Sequence, residues 1–142
     1  MRDDALLVLD IGKTNAKLTL VDADGQVLAE QRRANAVINS APYPHHDTEG
    51  LWDWILASCR AFAAKAHIGA IVPVTHGATA ALVDDAGLVL PVLDYEATLR
   101  DVDYAARPPY AETLSPALPA GLNLGRQLVW LAQSFPADFA RA

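Results

Sequence analysis

Eight residues, Asp10-Ile11-Gly12-Lys13-Thr14-Asn15-Ala16-Lys17, lie between two apolar runs, Leu6-Leu7-Val8-Leu9 and Leu18-Thr19-Leu20-Val21. Short apolar runs around a polar, glycine-bearing break predict strand, tight turn, strand. The turn gathers a carboxylate, a glycine, a hydroxyl, an amide and two lysines. A tight turn of this kind presents N–H donors and cations to a phosphate. Asp10, at its lip, is a candidate ligand for Mg²⁺ through water. The G-x-x-x-x-G-K-[ST] spacing is absent and no helix follows directly, so this is not a Walker A loop.

The remaining chain reads as alternating sheet and helix. Asp24-Gly25 is a hairpin signal leading to a third strand over residues 27–32, so three antiparallel strands in a row are expected. Residues 6–9 suit a central strand buried on both faces. Residues 35–46 form a connection with Pro42 and Pro44. Asp47 or Thr48 then caps a helix whose apolar stripe runs Trp52, Ile55, Cys59, Phe62, Ala66. Trp52, Trp54 and Trp130 read as packing residues. Residues 70–74 form a strand, with Pro73 expected at its end or at a bulge. Residues 80–90 read as a second hairpin, residues 107–121 as a proline-rich loop, and residues 122–135 as a last helix stopped by Pro136.

Bulk properties narrow the partners. At 142 residues and 52% hydrophobic, the chain fits one domain with a real core. A net charge of −6 argues against a nucleic-acid footprint, though not against local phosphate donors. No apolar stretch approaches the ~20 residues that span a bilayer, so no membrane partner is expected. Met1-Arg2-Asp3-Asp4 lacks the features of a signal peptide, and a cytoplasmic location is the default expectation. Cys59 is the single cysteine, which leaves no intrachain disulfide and no thiolate zinc site. His45 and His46 lack a third ligand at plausible spacing and read as surface histidines.

The first hairpin resembles that of the actin-like ATPases. The order of later segments is similar to the N-terminal part of the FGGY family of carbohydrate kinases. Those segments are His46-Asp47-Thr48-Glu49, Thr75-His76-Gly77, Pro91-Val92-Leu93-Asp94-Tyr95-Glu96, and a helix with Trp130 running to Phe135-Pro136. The resemblance covers nearly all of this chain but about the first third of a family member.

It implies an α/β, actin-like (ribonuclease H-like) fold. A mixed sheet opens with three antiparallel strands, helices pack on it, and the whole is a partial domain. Residues 1–142 are then the N-terminal portion of the first kinase domain: 1–34 the phosphate hairpin and first strands, 47–66 a helix, 68–96 a strand and hairpin with the sugar-site segment, 107–121 the loop and 122–136 the last helix. The implied activity is ATP-dependent phosphorylation of a sugar, ketose or polyol, with ATP and Mg²⁺ as cofactors.

In this resemblance Asp10, Gly12, Lys13, Thr14, Asn15 and Lys17 bind the phosphates. His76, Gly77, Tyr95 and Glu96 belong to the sugar pocket. Most of these, and Asp94, also have a plainer role: Asp10, Thr14 and Asn15 as turn formers, Gly12 as a turn glycine, Lys13 and Lys17 as solvated lysines, His76 as a turn histidine, and Asp94 and Glu96 as capping acids. Lys13 stands where the family usually has a small or hydroxylic residue, and Asp94 where an aromatic is frequent. The family's catalytic base lies beyond residue 142, so the chain alone is expected to be inactive. Its expected partners are a small-molecule sugar or polyol and, as an open possibility, a second copy of itself. Two alternatives stand beside this reading: a non-catalytic actin-like interaction module, and a kinase of another actin-like family.

Overall fold

The computed structural model describes residues 4–100, 102 and 107–142. The reading of Met1-Arg2-Asp3 as lacking a leader lies outside the described residues. The chain divides into two compact units, one of the residues up to Ala36 with Asp47–Gly77, the other of Val37–His46 with the residues after Gly77.

The first unit is a four-stranded mixed sheet with one helix. Strand β1 (Asp4–Ile11) pairs antiparallel with β2 (Asn15–Val21), and β2 pairs antiparallel with β3 (Val27–Ala34). Two short β-strands of the second unit, β4 (Val37–Ile38) and β5 (His45–His46), come next in the chain. Helix α1 (Thr48–Ala63) then leads to β6 (His67–Thr75), which lies parallel to β1. The strand order is β3-β2-β1-β6.

Register explains which face is buried. Ala5, Leu7, Leu18 and Leu20 are at most 2% exposed and pack with Ile55, Phe62 and Ala66. Burying a leucine or phenylalanine side chain of this kind stabilises by about 1.5–3 kcal/mol. The opposite face is open. Leu6 is 43% exposed, so β1 is not buried on both sides as the apolar run suggests. Trp52 also departs from the expected stripe; it is 59% exposed, while Trp54 packs against the core. Helix periodicity marks a stripe but not its width, and Trp52 falls off the edge that meets the sheet.

Helix α1 starts where the sequence offers a cap. The Asp47 carboxylate accepts from the Gly50 amide at 3.0 Å, and its other oxygen takes a 2.6 Å bond from Arg33 of β3. Pro73 sits inside β6, opposite Leu9, not at a strand end. The sheet tolerates it there because β6 is an edge strand, where the missing N–H need cost no ladder bond.

In the second unit β4 pairs with β5, and a tight hairpin joins β7 (Val83–Asp84) to β8 (Gly87–Leu88). This hairpin is shorter than residues 80–90 suggest. The proline-rich loop contains one helical turn, α2 (Tyr110–Thr113). Helix α3 (Leu124–Ser134) follows, and Pro136 opens α4 (Pro136–Phe139), so it starts a helix as well as ending one. The core here gathers Tyr43, Leu90, Leu93, Ala97, Leu99 and Leu131. Tyr43 meets Trp130 and Phe135 edge-on, each at 5.5 Å between ring centres, and its hydroxyl donates to the Pro91 carbonyl at 2.8 Å. Among the described residues no helix is long and apolar enough to cross a membrane.

Candidate functional site

The turn between β1 and β2 is closed from inside. The Gly12 amide donates to the Asn15 carbonyl at 2.9 Å, and a Cβ on Gly12 would lie 3.2 Å from that oxygen. Gly12 is therefore needed for closure itself, and its N–H is already used. The turn is also tied from outside. Asn35, just past β3, donates its side-chain amide to the Gly12 carbonyl at 2.6 Å and its backbone amide to the Thr14 carbonyl at 2.9 Å. The His76 amide donates to the Ile11 carbonyl at 3.2 Å. Two neighbouring segments thus fix one turn.

The strand register then sets the chemistry. Asp10 lies opposite Lys17, and Lys17 lies opposite Arg32. Alternation puts this row on the face of the sheet opposite α1, because Leu7, Leu18 and Leu20 occupy the other. One carboxylate and two cationic residues therefore line one sheet face beside the turn. Arg32 also pairs with Glu30 at 2.7 Å. Thr14 and Asn15 are exposed at the tip, where Asn15 donates to the Thr14 hydroxyl oxygen at 3.1 Å. Accepting that bond leaves the Thr14 proton directed elsewhere, available to an external acceptor. Lys13 is half-buried.

The donor set fits an anion with an associated cation. Hydroxyl, amide and ammonium groups suit phosphate oxygens, and a single partly buried carboxylate suits a hydrated Mg²⁺ better than a full protein cage. Among the described residues no group of three histidine, cysteine or acidic side chains is placed to hold a metal.

The four residues assigned to the sugar are divided between the units. His76 and Gly77 end the first, directly after β6. Tyr95 and Glu96 lie in the second. There the Asp94 carboxylate accepts from the Glu96 amide at 3.1 Å, and the Ala97 amide donates to the Asp94 carbonyl at 2.9 Å. Asp94 is 6% exposed and caps this turn from within, while Glu96 is exposed. His45 and His46 are half-buried in β5 and are not surface residues. His45 Nδ1 lies 2.7 Å from the Tyr43 carbonyl, and the His46 ring lies 6.5 Å from that of Tyr95. A cavity of about 570 Å³ lies in the second unit beside Tyr43, Leu93, Arg100 and Trp130; neither Tyr95 nor Glu96 lines it.

Sequence reasoning missed Arg32, Asn35 and Gln127. Asn35 carried a signal, since an amide just past a strand end is a common turn anchor. Arg32 needed the register. Gln127 on α3 is 1% exposed and bonds two backbone carbonyls. Its place amid Leu124, Leu128 and Leu131 gave no hint of that.

Comparison with known proteins bears on the fold and the family. No family model matches the chain. The L-fuculokinase of Salmonella typhi is 27% identical over 148 residues, an alignment covering 96% of this chain and 31% of that protein. The crystal structure of a carbohydrate kinase from Novosphingobium aromaticivorans superposes with a TM-score of 0.91 at 39% identity, covering 99% of this chain and 31% of that one. A xylulose kinase from Rhodospirillum rubrum shares the fold, with a TM-score of 0.75 at 21% identity over 96% of this chain and 31% of its own. The chain spans about a third of the length of the relatives it matches. Its structural neighbours are sugar kinases of the actin-like ATPase fold, and this chain is a mixed α/β part of such a domain. The chain is a homologue of the FGGY carbohydrate kinases.

Proposed function

We propose that the complete gene product transfers the γ-phosphoryl group of ATP to a hydroxyl of a sugar, ketose or polyol. This chain supplies the first phosphate-binding hairpin and part of the sugar pocket. The observation that carries the proposal is the Asp10–Lys17 pairing beside a turn closed at Gly12, in a chain whose relatives are carbohydrate kinases. Phosphoryl transfer rests mainly on positioning and charge stabilisation, which such a turn can supply.

Within this reading Asp10 would hold Mg²⁺ through water, and the bound ion would neutralise phosphate charge. Thr14 and Asn15 donate to phosphate oxygens, and Lys17 adds positive charge. Lys13 stands beside them as a further cation. Gly12 keeps the turn closed. His76, Gly77, Tyr95 and Glu96 face the sugar: a neutral imidazole both donates to and accepts from hydroxyls, and a carboxylate accepts from them. The base that takes the hydroxyl proton lies beyond residue 142, so residues 1–142 are the N-terminal portion of the first kinase domain. The same reading places the enzyme in the cytoplasm. The homodimer left open by the sequence would find its contact in the exposed apolar strand β6.

A ketose or deoxy-ketose is the proposed acceptor, in keeping with the fuculokinase relatives. The test is ATP consumption by the complete gene product with fuculose, xylulose, gluconate and glycerol. Transfer to one or more, fastest with a ketose, supports the reading. No transfer to any of them, with partner binding retained, would favour the interaction module.

A further inference from the structure

We infer that Gln127 is a positioning residue for the sugar-binding segment at Tyr95-Glu96, an inference that rests on the kinase reading above. Its side chain is 1% exposed on α3. The Nε2 amide donates to the Ala78 carbonyl at 2.8 Å and to the Gly121 carbonyl at 2.5 Å. Two carbonyls facing one end of the group fix which end is nitrogen, since the reverse would set oxygen against oxygen. Ala78 is the residue that follows His76-Gly77 in the chain. Gly121 in turn donates its amide to the Tyr95 carbonyl at 2.8 Å, one residue before Glu96.

Within the second unit one amide thus ties Ala78 to Gly121 and, through Gly121, the backbone entering Glu96. The contact is close-packed. A Cβ on Gly121 would lie 3.0 Å from the Tyr95 carbonyl oxygen, 3.1 Å from its Cα and 3.2 Å from Gln127 Cγ. Simple packing does not call for an amide here. Gln127 Oε1 is buried and has no hydrogen-bond partner among the described residues, a cost that leucine or methionine would avoid. What the glutamine secures in exchange for that cost is the positions of the two carbonyls. Gln127 acts by setting the place of Glu96.

The test uses the complete gene product and the sugar it phosphorylates fastest. Gln127→Met keeps volume and removes both bonds; Gln127→Glu keeps shape and turns carboxylate oxygens toward the two carbonyls. In both, the KM for sugar is expected to rise roughly tenfold while the KM for ATP stays within about twofold. Leu131→Ala, a core truncation on the same helix, is expected to lower the Tm with both KM values unchanged. An unchanged sugar KM in either folded glutamine variant overturns the inference, as does a parallel rise of both KM values. A sugar KM raised equally by Leu131→Ala would also overturn it, because loss of stability would then explain the effect. Failure of the unsubstituted protein to phosphorylate any sugar overturns the kinase reading, and this inference with it.

Discussion

Gly12 shows how one residue can serve shape before chemistry. Its amide closes the turn on Asn15, and its missing side chain leaves room for the same carbonyl. Gly12→Ala must push that carbonyl aside, so it should cost about 1 kcal/mol in urea unfolding of the chain. Gly121→Ala meets rigid backbone at 3.0 and 3.1 Å and should cost more, about 1–3 kcal/mol by the same measurement. Turn type and glycine content were legible in the sequence at Gly12, since an apolar run broken by Asp-Ile-Gly admits few other structures. At Gly121 they were not, because only the fold brings Tyr95 beside it. Arg32 was hidden for a different reason. Counting back from the Asp24-Gly25 turn through Val21↔Val27 would place Gln31 opposite Lys17. A register shift between Leu20 and Val21 moves Arg32 there instead.

Elements are held at their ends by ionisable groups, which gives them pH signatures of opposite sense. The Arg33 guanidinium, then the Gly50 amide, hold the Asp47 carboxyl below the usual carboxylate range. A carboxyl depressed in the folded state stabilises above its unfolded pKa, and this is lost as pH falls through the folded value. Asp47→Ala should therefore cost about 1–2 kcal/mol at pH 7 by loss of the cap, with the difference shrinking below about pH 4. Denaturant titrations at pH 7 and pH 3 compare the two. Tyr43 behaves oppositely. Burial, aided by the Asp138 charge, pushes its hydroxyl up to about 12. A raised value favours the folded state fully below the unfolded pKa of about 10, and that stability is lost as pH rises through 12. Tyr43→Phe should flatten the stability profile between pH 10 and 12. It should also lose about 1 kcal/mol at neutral pH with the bond to Pro91. The helix cap at Asp47 was readable from residue type alone. Its bond to Arg33 was not, because 14 residues and a change of element separate the two.

The sheet of the first unit ends in an exposed apolar edge strand, β6. Ile71, Val72 and Val74 of β6 are 55%, 43% and 52% exposed, and Leu6 on β1 is 43% exposed. An apolar edge strand with uncovered faces pairs readily with other chains. The 142-residue chain should therefore self-associate in light scattering, and Val74→Lys should reduce that association by placing a charge on the edge. Antiparallel neighbours joined by tight turns could be read from the sequence, whereas the parallel β1–β6 pairing spans α1 and leaves no local trace. The apolar run of β1 likewise records that both faces are suited to burial, not which face is covered within this chain. The central claim is that the turn at Asp10 to Lys17 is a phosphate hairpin of a carbohydrate kinase. The most direct measurement is ATP-dependent phosphorylation of a ketose by the complete gene product, with and without Asp10→Ala. The account predicts transfer by the unsubstituted protein and a loss of at least about 100-fold in kcat for the variant, with its Tm little changed. Undiminished turnover by the folded variant would contradict it.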